Sequence, residues 1–122
     1  MSSAANNPWP TSLKVDAAKS TLKISFDNGE QFQIEAELMR VNSPSAEVQG
    51  HSPDQRVIQA GKRDVKILQM IPTGNYAVRI VFGDGHDTGI FTWAYLYELG
   101  RDGAALWQAY LDELKAKGLT RG

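Results

Sequence analysis

The segment from 84 to 89 carries the residues best suited to chemistry. It reads Asp84-Gly-His-Asp-Thr-Gly89, which places Asp84, His86 and Asp87 between glycines. The other histidine, His51, also lies in a glycine-containing loop. Imidazole nitrogen and carboxylate oxygen suit zinc or iron, so both histidines and one aspartate could form a facial triad. Alternatively, the segment is a tight turn whose glycines adopt positive φ and whose carboxylates accept backbone N–H groups.

Other catalytic patterns are weaker. Asp87-Thr88-Gly89 matches the aspartic-protease tripeptide, but that chemistry needs two aspartates sharing one proton, and here a helix-forming aromatic stretch follows. Gly61-Lys62 is not a phosphate-binding loop, because arginine stands at positions 56 and 63, where that motif requires glycine and Ser or Thr. Cysteine is absent, which excludes disulfides, thiolate nucleophiles and Cys-ligated clusters within this chain.

Alternation of apolar and polar residues predicts the strands that position these loops. Strands are expected at 13–17, 21–26 and 31–36, at 56–59, at 65–71 as a central strand, at 76–82, and briefly at 90–91. Asp27-Asn-Gly-Glu30 predicts a hairpin, since Asn and Gly tolerate positive φ. Tyr76, Val78, Ile80 and Phe82 are expected on one inward face. Residues 42–54, rich in Ser, Pro and Gly, predict a long loop.

Helices are predicted after the strands. A short helical turn is expected at 35–41. Thr92 is predicted to cap a helix over 93–99 that Gly100 ends, and Asp102 to cap one over 103–117 that Gly118 ends. The fold class is therefore α+β, with an antiparallel β-sheet of meanders and hairpins and two C-terminal helices packed on it. Residues 1–12 are interpreted as a flexible N-terminal arm, and residues 13–119 as a single domain.

Charge and hydropathy narrow the class of partner. The 122 residues include 13 Lys and Arg against 14 Asp and Glu, a net charge of -1, which argues against a nucleic-acid binder. No apolar run approaches the ~20 residues that cross a bilayer, and no secretory signal is visible. We therefore expect a cytoplasmic protein whose partner is another protein, with a homodimer possible through an unpaired edge strand.

Three stretches resemble a known family. Residues 38–51, 61–67 and 74–99, above all Ser43-Pro-Ser-Ala-Glu-Val48 and the 84–89 segment, are similar to a small bacterial family of unknown function. That family is related to the N-terminal domain of gamma-butyrobetaine hydroxylase and trimethyllysine hydroxylase. In those hydroxylases, a Cys-x-Cys-x-x-Cys cluster and a later histidine bind structural zinc. The resemblance places these four ligands at Ser43, Ser45, Val48 and His86.

The resemblance implies that the zinc site is lost and that His86 is its remnant, so we expect no metal and no cofactor. The hydroxylases' catalytic oxygenase domain is absent from these residues, which implies a non-catalytic interaction or accessory module. The candidate interaction residues are Arg40, Asn42, Ser43, Ser45, His51, Asp84, His86 and Asp87. A similar domain is appended to iron–sulfur carrier proteins. The alternative is therefore a metal-binding or iron–sulfur-assembly accessory protein that uses His86, His51 and nearby aspartates.

Overall fold

The first sheet begins earlier than the sequence predicted. The computed structural model describes residues 8–122, so residues 1–7 of the predicted arm lie outside the described residues. Strand β1 spans Pro10–Val15, and Pro10 pairs with Phe26 of the next strand. Positions 10–12 therefore belong to the sheet. Proline is tolerated there because β1 is an edge strand and Pro10 is its first residue.

Strands β1, β2 (Thr21–Phe26) and β3 (Gln31–Glu35) form an antiparallel meander. The alternation seen in the sequence is confirmed, because Leu22, Ile24 and Phe26 are all buried. The turn between β2 and β3 places Gly29 at φ +90, a conformation that glycine adopts without strain. This hairpin was also predicted.

Strands β4 (Ile67–Thr73), β5 (Ala77–Phe82) and β6 (Ile90–Thr92) form a second antiparallel sheet. Its central strand is β5, so the expectation that 65–71 form a central strand was wrong. Leu68 in edge strand β4 is 51% exposed. Tyr76 was also misplaced, since it lies in the turn before β5 and is 56% exposed. The predicted strand at 56–59 does not form.

Four helices and one 3-10 turn complete the described residues. They are α1 (Ala36–Val41), α2 (Ala46–Gln49), the 3-10 turn Pro53–Gln55, α3 (Trp93–Arg101) and α4 (Gly103–Lys117). The predicted long loop 42–54 therefore contains a short helix. Thr92 caps α3 by accepting the Tyr95 N–H, as predicted. Asp102 does not cap α4, because its carboxylate is bound by the Arg101 guanidinium.

The fold class is α+β, as predicted, and both sheets contribute to one core. Ile24 of the first sheet and Ile80 of the second belong to the same buried cluster, together with Leu96 and Leu99 of α3. Helix α3 packs against β3 and β6, whereas α4 packs mainly against α1 and α3. The second C-terminal helix thus covers other helices more than strands. None of the helices in residues 8–122 is long and apolar enough to cross a membrane.

Helix α3 continues through Gly100 and ends at Arg101. The absence of a side chain at Gly100 allows the helix to lie close to β3. A Cβ added at Gly100 would lie 2.6 Å from Cδ2 and 2.8 Å from Cβ of Phe32. A larger side chain would therefore separate α3 from the sheet. The glycine that the sequence suggested as a helix end is instead a packing residue.

Replacing Gly100 by alanine tests this contact. Helix propensity alone would stabilise the variant by up to ~1 kcal/mol. Overlap with Phe32 is instead expected to lower the free energy of unfolding by ~1–3 kcal/mol. Gly103→Ala is the control, because its Cβ would meet Leu38 at an ordinary 3.7 Å. Urea unfolding of both variants measures the difference, and a Gly100→Ala protein as stable as the control would contradict the packing.

Candidate functional site

Two segments distant in sequence meet at one end of the second sheet. Residues 42–49 follow α1, and residues 84–89 join β5 to β6. His86 Nε2 lies 2.9 Å from Ser43 Oγ, and Ser45 Oγ lies 2.7 Å from Thr88 Oγ1. Thr88 Oγ1 also donates to the Glu47 carboxylate. We call these five side chains the hydroxyl–imidazole network.

The turn after β5 holds His86 in this position. The Phe82 N–H donates to the His86 carbonyl at 2.9 Å, which closes the turn. The Asp84 carboxylate accepts the His86 N–H at 3.1 Å. Gly85 has φ +93, which favours glycine. The turn interpretation is therefore confirmed for Gly85 and Asp84, whereas the Asp87 carboxylate lies near Arg79. The turn carries the imidazole inward, where the side chain is 4% exposed.

The opposite segment is held by its own caps. Ser45 Oγ accepts the Glu47 N–H at 3.2 Å and so caps α2. The Gln49 side-chain amide donates to the Ser43 carbonyl at 2.9 Å. These local bonds hold the Ser45 hydroxyl and the Ser43 backbone without help from the 84–89 segment.

The surroundings of His86 favour the neutral imidazole. Burial and the positive charge of Arg40 lower the pKa of His86. Nδ1 lies 3.8 Å from the Glu47 carboxylate, so we assign the ring proton to Nδ1. The Ser43 hydroxyl then donates to Nε2, while its oxygen accepts the Ser45 N–H at 3.3 Å.

In space, His86 lies between Ser43 and Glu47, as the base of a catalytic triad lies between the nucleophile and the acid. Ser43 is fully buried, however, at 0% exposed. It lies beneath Gly89, where an added Cβ would overlap the serine oxygen. A substrate carbonyl cannot reach this hydroxyl, so the arrangement is structural in this conformation.

Asp84 connects the network to two cations. Its Oδ2 accepts from Arg40 Nε at 2.8 Å and from Lys62 Nζ at 2.6 Å. Burial opposes ionisation of Asp84, but bonds from Lys62, the His86 amide and Arg40 outweigh it and lower the pKa to about 2. The buried Arg40 Nη1 has no hydrogen-bond partner among the described residues. Asp84 is thus held by two cations, one of which, Arg40, is buried.

The remaining predicted residues have different surroundings. Asn42 is buried; its carbonyl accepts the Tyr95 hydroxyl at 2.5 Å, and its side chain donates to Leu38 at 3.0 Å. Asp87 is exposed and lies 3.6 Å from Arg79. His51 is exposed, and its backbone amide bonds the Gln55 side chain rather than any residue of the network.

Metal binding depends on which donor atoms the fold brings together. Across the described range 8–122, no three His, Asp or Glu side chains are grouped in a way that could hold a metal ion. The proposed triad of both histidines and one aspartate is therefore not assembled. At the positions carried over from the hydroxylases, Ser43 and Ser45 offer only neutral hydroxyls, and buried Val48 offers no donor. These residues do not fit a structural zinc ion.

Glu47 and Thr88 were missed as site residues by sequence reasoning, although each forms a hydrogen bond with Ser45. Thr88 was noted only as part of the loop, and Glu47 only as part of a motif. The usable signal was the Ser45-Ala-Glu47 spacing, which is typical of a helix cap followed by an acidic residue in the first turn.

Residues 13–97 match the family described as gamma-butyrobetaine hydroxylase-like, N-terminal. The chain belongs to this family. The match confirms the family suggested by the 43–48 and 84–89 segments. A comparison with curated proteins finds no match.

Solved structures of similar chains agree with the fold. One protein solved by NMR in solution is 45% identical, with 99% of this chain and 90% of that chain covered and a TM-score of 0.82. A second NMR structure is 43% identical over 93% and 90%, with a TM-score of 0.80. A crystal structure of a DUF971-family protein of unknown function from Acidithiobacillus ferrooxidans is 28% identical over 75% and 91%, with a TM-score of 0.61.

His86→Ala tests the neutral imidazole. At pH 7.5 the variant is expected to lose ~1–3 kcal/mol of unfolding free energy, because Ser43 loses its buried partner. Since the folded pKa of His86 is lowered, only the unfolded chain gains this proton as pH falls below about 6.5. The stability advantage of the wild type over His86→Ala should therefore shrink from pH 7.5 to pH 5.

Denaturant titrations at both pH values measure this difference. Exposed His51 supplies the matched control, and His51→Ala should change stability at pH 7.5 by less than ~0.5 kcal/mol. An advantage over His86→Ala that grows on acidification would show that the folded protein favours the charged imidazole.

The triple variant Ser43→Cys, Ser45→Cys and Val48→Cys tests the correspondence with the hydroxylases. If these positions match the cysteine cluster, three thiolates and His86 supply the four donors of a tetrahedral site. We expect one zinc ion per chain by elemental analysis. Adding His86→Ala should weaken zinc binding at least ~10-fold, as expected for loss of a ligand or its support. A folded triple variant without zinc affinity would show that the four positions do not converge.

Proposed function

We propose that this chain is a non-catalytic interaction module that binds another protein through the surface formed by segments 42–54 and 84–89. The proposal rests on one observation. The hydroxyl and imidazole groups of the hydroxyl–imidazole network are bonded to one another inside the protein. Ser43 is buried beneath Gly89, and neutral His86 bonds Ser43. Asp84 lies between two cations. A partner would therefore contact the exposed side chains that surround the network, Glu47, Asp87 and Thr88, which we call the rim.

The rim combines exposed side chains with a supported backbone. The side chains of Glu47 and Asp87 are 61% and 54% exposed, and Thr88 is exposed between them and the buried serines. Because buried hydrogen bonds already order both segments, a partner need not immobilise them on binding. Such preorganisation reduces the entropic cost of association.

The alternative is a metal-binding or iron–sulfur-assembly accessory protein. His51 lies away from the network, and the donor set around His86 does not fit zinc, so the geometry supports the interaction role better. A second copy of the chain is one form that the protein partner can take. The experiment below separates these outcomes.

Site-specific photo-crosslinking tests the proposed surface. A benzophenone amino acid replaces Asp87 on the rim or, as a control, exposed Lys23 on the outer face of the first sheet. Irradiation of expressing cells is expected to give a protein adduct from position 87 and not from position 23. Mass spectrometry identifies the partner, and an adduct of twice the chain's mass would identify a homodimer.

Equal yields of crosslinked protein from positions 87 and 23, or no crosslinked protein from position 87, would contradict the interaction surface.

Elemental analysis of untagged protein tests the metal-binding alternative. Stoichiometric zinc or iron that is lost in His86→Ala would favour the metal-binding alternative over the proposed function.

A further inference from the structure

A groove with a concentration of basic side chains adjoins Asp84, outside the network itself. It has a volume of about 280 Å³. Four cationic and two anionic residues line it: Lys62, Arg63, Lys66, Arg121, Asp64 and Asp84. We call it the basic groove. Its positive balance contrasts with the net charge of -1 on the whole chain.

Backbone hydrogen bonds hold the groove in shape. The C-terminal segment forms one wall, because the Gly61 N–H donates to the Thr120 carbonyl at 3.0 Å and the Arg63 N–H donates to the Arg121 carbonyl at 2.9 Å. On the opposite side, the Gly83 N–H donates to the Lys66 carbonyl at 2.8 Å. Three separate parts of the chain are thus joined before a ligand binds.

Internal ion pairs occupy two of the four cations. Arg121 binds buried Glu37 and stacks over Trp107 at 4.9 Å, while Lys62 binds Asp84. Asp84 also binds Arg40, so this single carboxylate lies between two cations. The two positive charges of Arg40 and Lys62 exceed the single negative charge of Asp84, which leaves a net positive charge behind the groove.

Arg63 and Lys66 are the two cations left for a ligand. Both are exposed on the segment that leads into β4, and no ion pair to either forms within residues 8–122. Arginine offers a planar fork of donors that matches a carboxylate, and lysine offers a mobile point charge. Together they favour an anionic ligand.

We propose that the basic groove binds an acidic segment of the protein partner, with its carboxylates against Arg63 and Lys66. This inference rests on the proposed function, because the partner is taken to be a protein seated over the 84–89 segment. Asp64 in the same groove disfavours a continuous row of phosphates. An acidic peptide can place a neutral residue against Asp64 and carboxylates against Arg63 and Lys66, whereas a nucleic-acid strand carries a negative charge at every nucleotide.

A labelled hexaglutamate peptide serves as the probe, with binding followed by fluorescence anisotropy at ~50 mM salt. The double variant Arg63→Gln and Lys66→Gln is expected to bind at least ~10-fold more weakly. The double variant Lys14→Gln and Lys23→Gln is the matched control, because it removes the same charge from the outer face of the first sheet. It should bind within ~2-fold of the wild type, and ~200 mM salt should weaken binding of the wild type.

Equal affinity of the two double variants, or no hexaglutamate binding by the wild type, would overturn the proposal. Tighter binding of a six-nucleotide single strand or of inorganic phosphate, dependent on the same two residues, would overturn the acidic protein ligand in favour of phosphate. The crosslink from position 87 separates this failure from that of the proposed function. A crosslink that persists in Arg63→Gln, Lys66→Gln would leave the interaction surface intact and refute only the groove.

Discussion

The hydrogen bond between the Ser43 hydroxyl and the His86 imidazole is the constraint on which the candidate site depends. Both side chains are buried, and an unpaired polar group in such surroundings is costly. Their pairing joins segments that are 43 residues apart. It joins the turn after β5 to the entry to α2, so the relative position of the two exposed segments depends on a buried contact.

Local signals predicted much of the fold, and tertiary contacts decided the rest. The β2–β3 hairpin and the Thr92 cap depend on neighbouring residues, which the sequence displays directly. Gly100 was misread because its partner, Phe32, lies on a distant strand. The edge position of β4 could not be predicted from its sequence either, because strand order depends on which strands pair and not on the composition of one strand.

The site was only partly predictable for the same reason. Resemblance to a family identified Ser43, Ser45 and His86, and the structure brings the three together. Glu47 was missed because its partner Thr88 is 41 residues away in sequence, and no periodicity indicates such a pair. His51 was grouped with His86 by residue type alone, and the structure gives it a separate, exposed position.

The docking of Arg121 has a consequence for proteolysis. Its guanidinium supplies the cation for Glu37, whose side chain is only 6% exposed. A protease that cleaved the chain between Thr120 and Arg121 would leave that carboxylate enclosed without a counterion, and would also remove a backbone bond to Arg63. Such cleavage would therefore lower the stability of the protein in two ways, by isolating a negative charge in its interior and by uncovering the Trp107 ring over which Arg121 stacks.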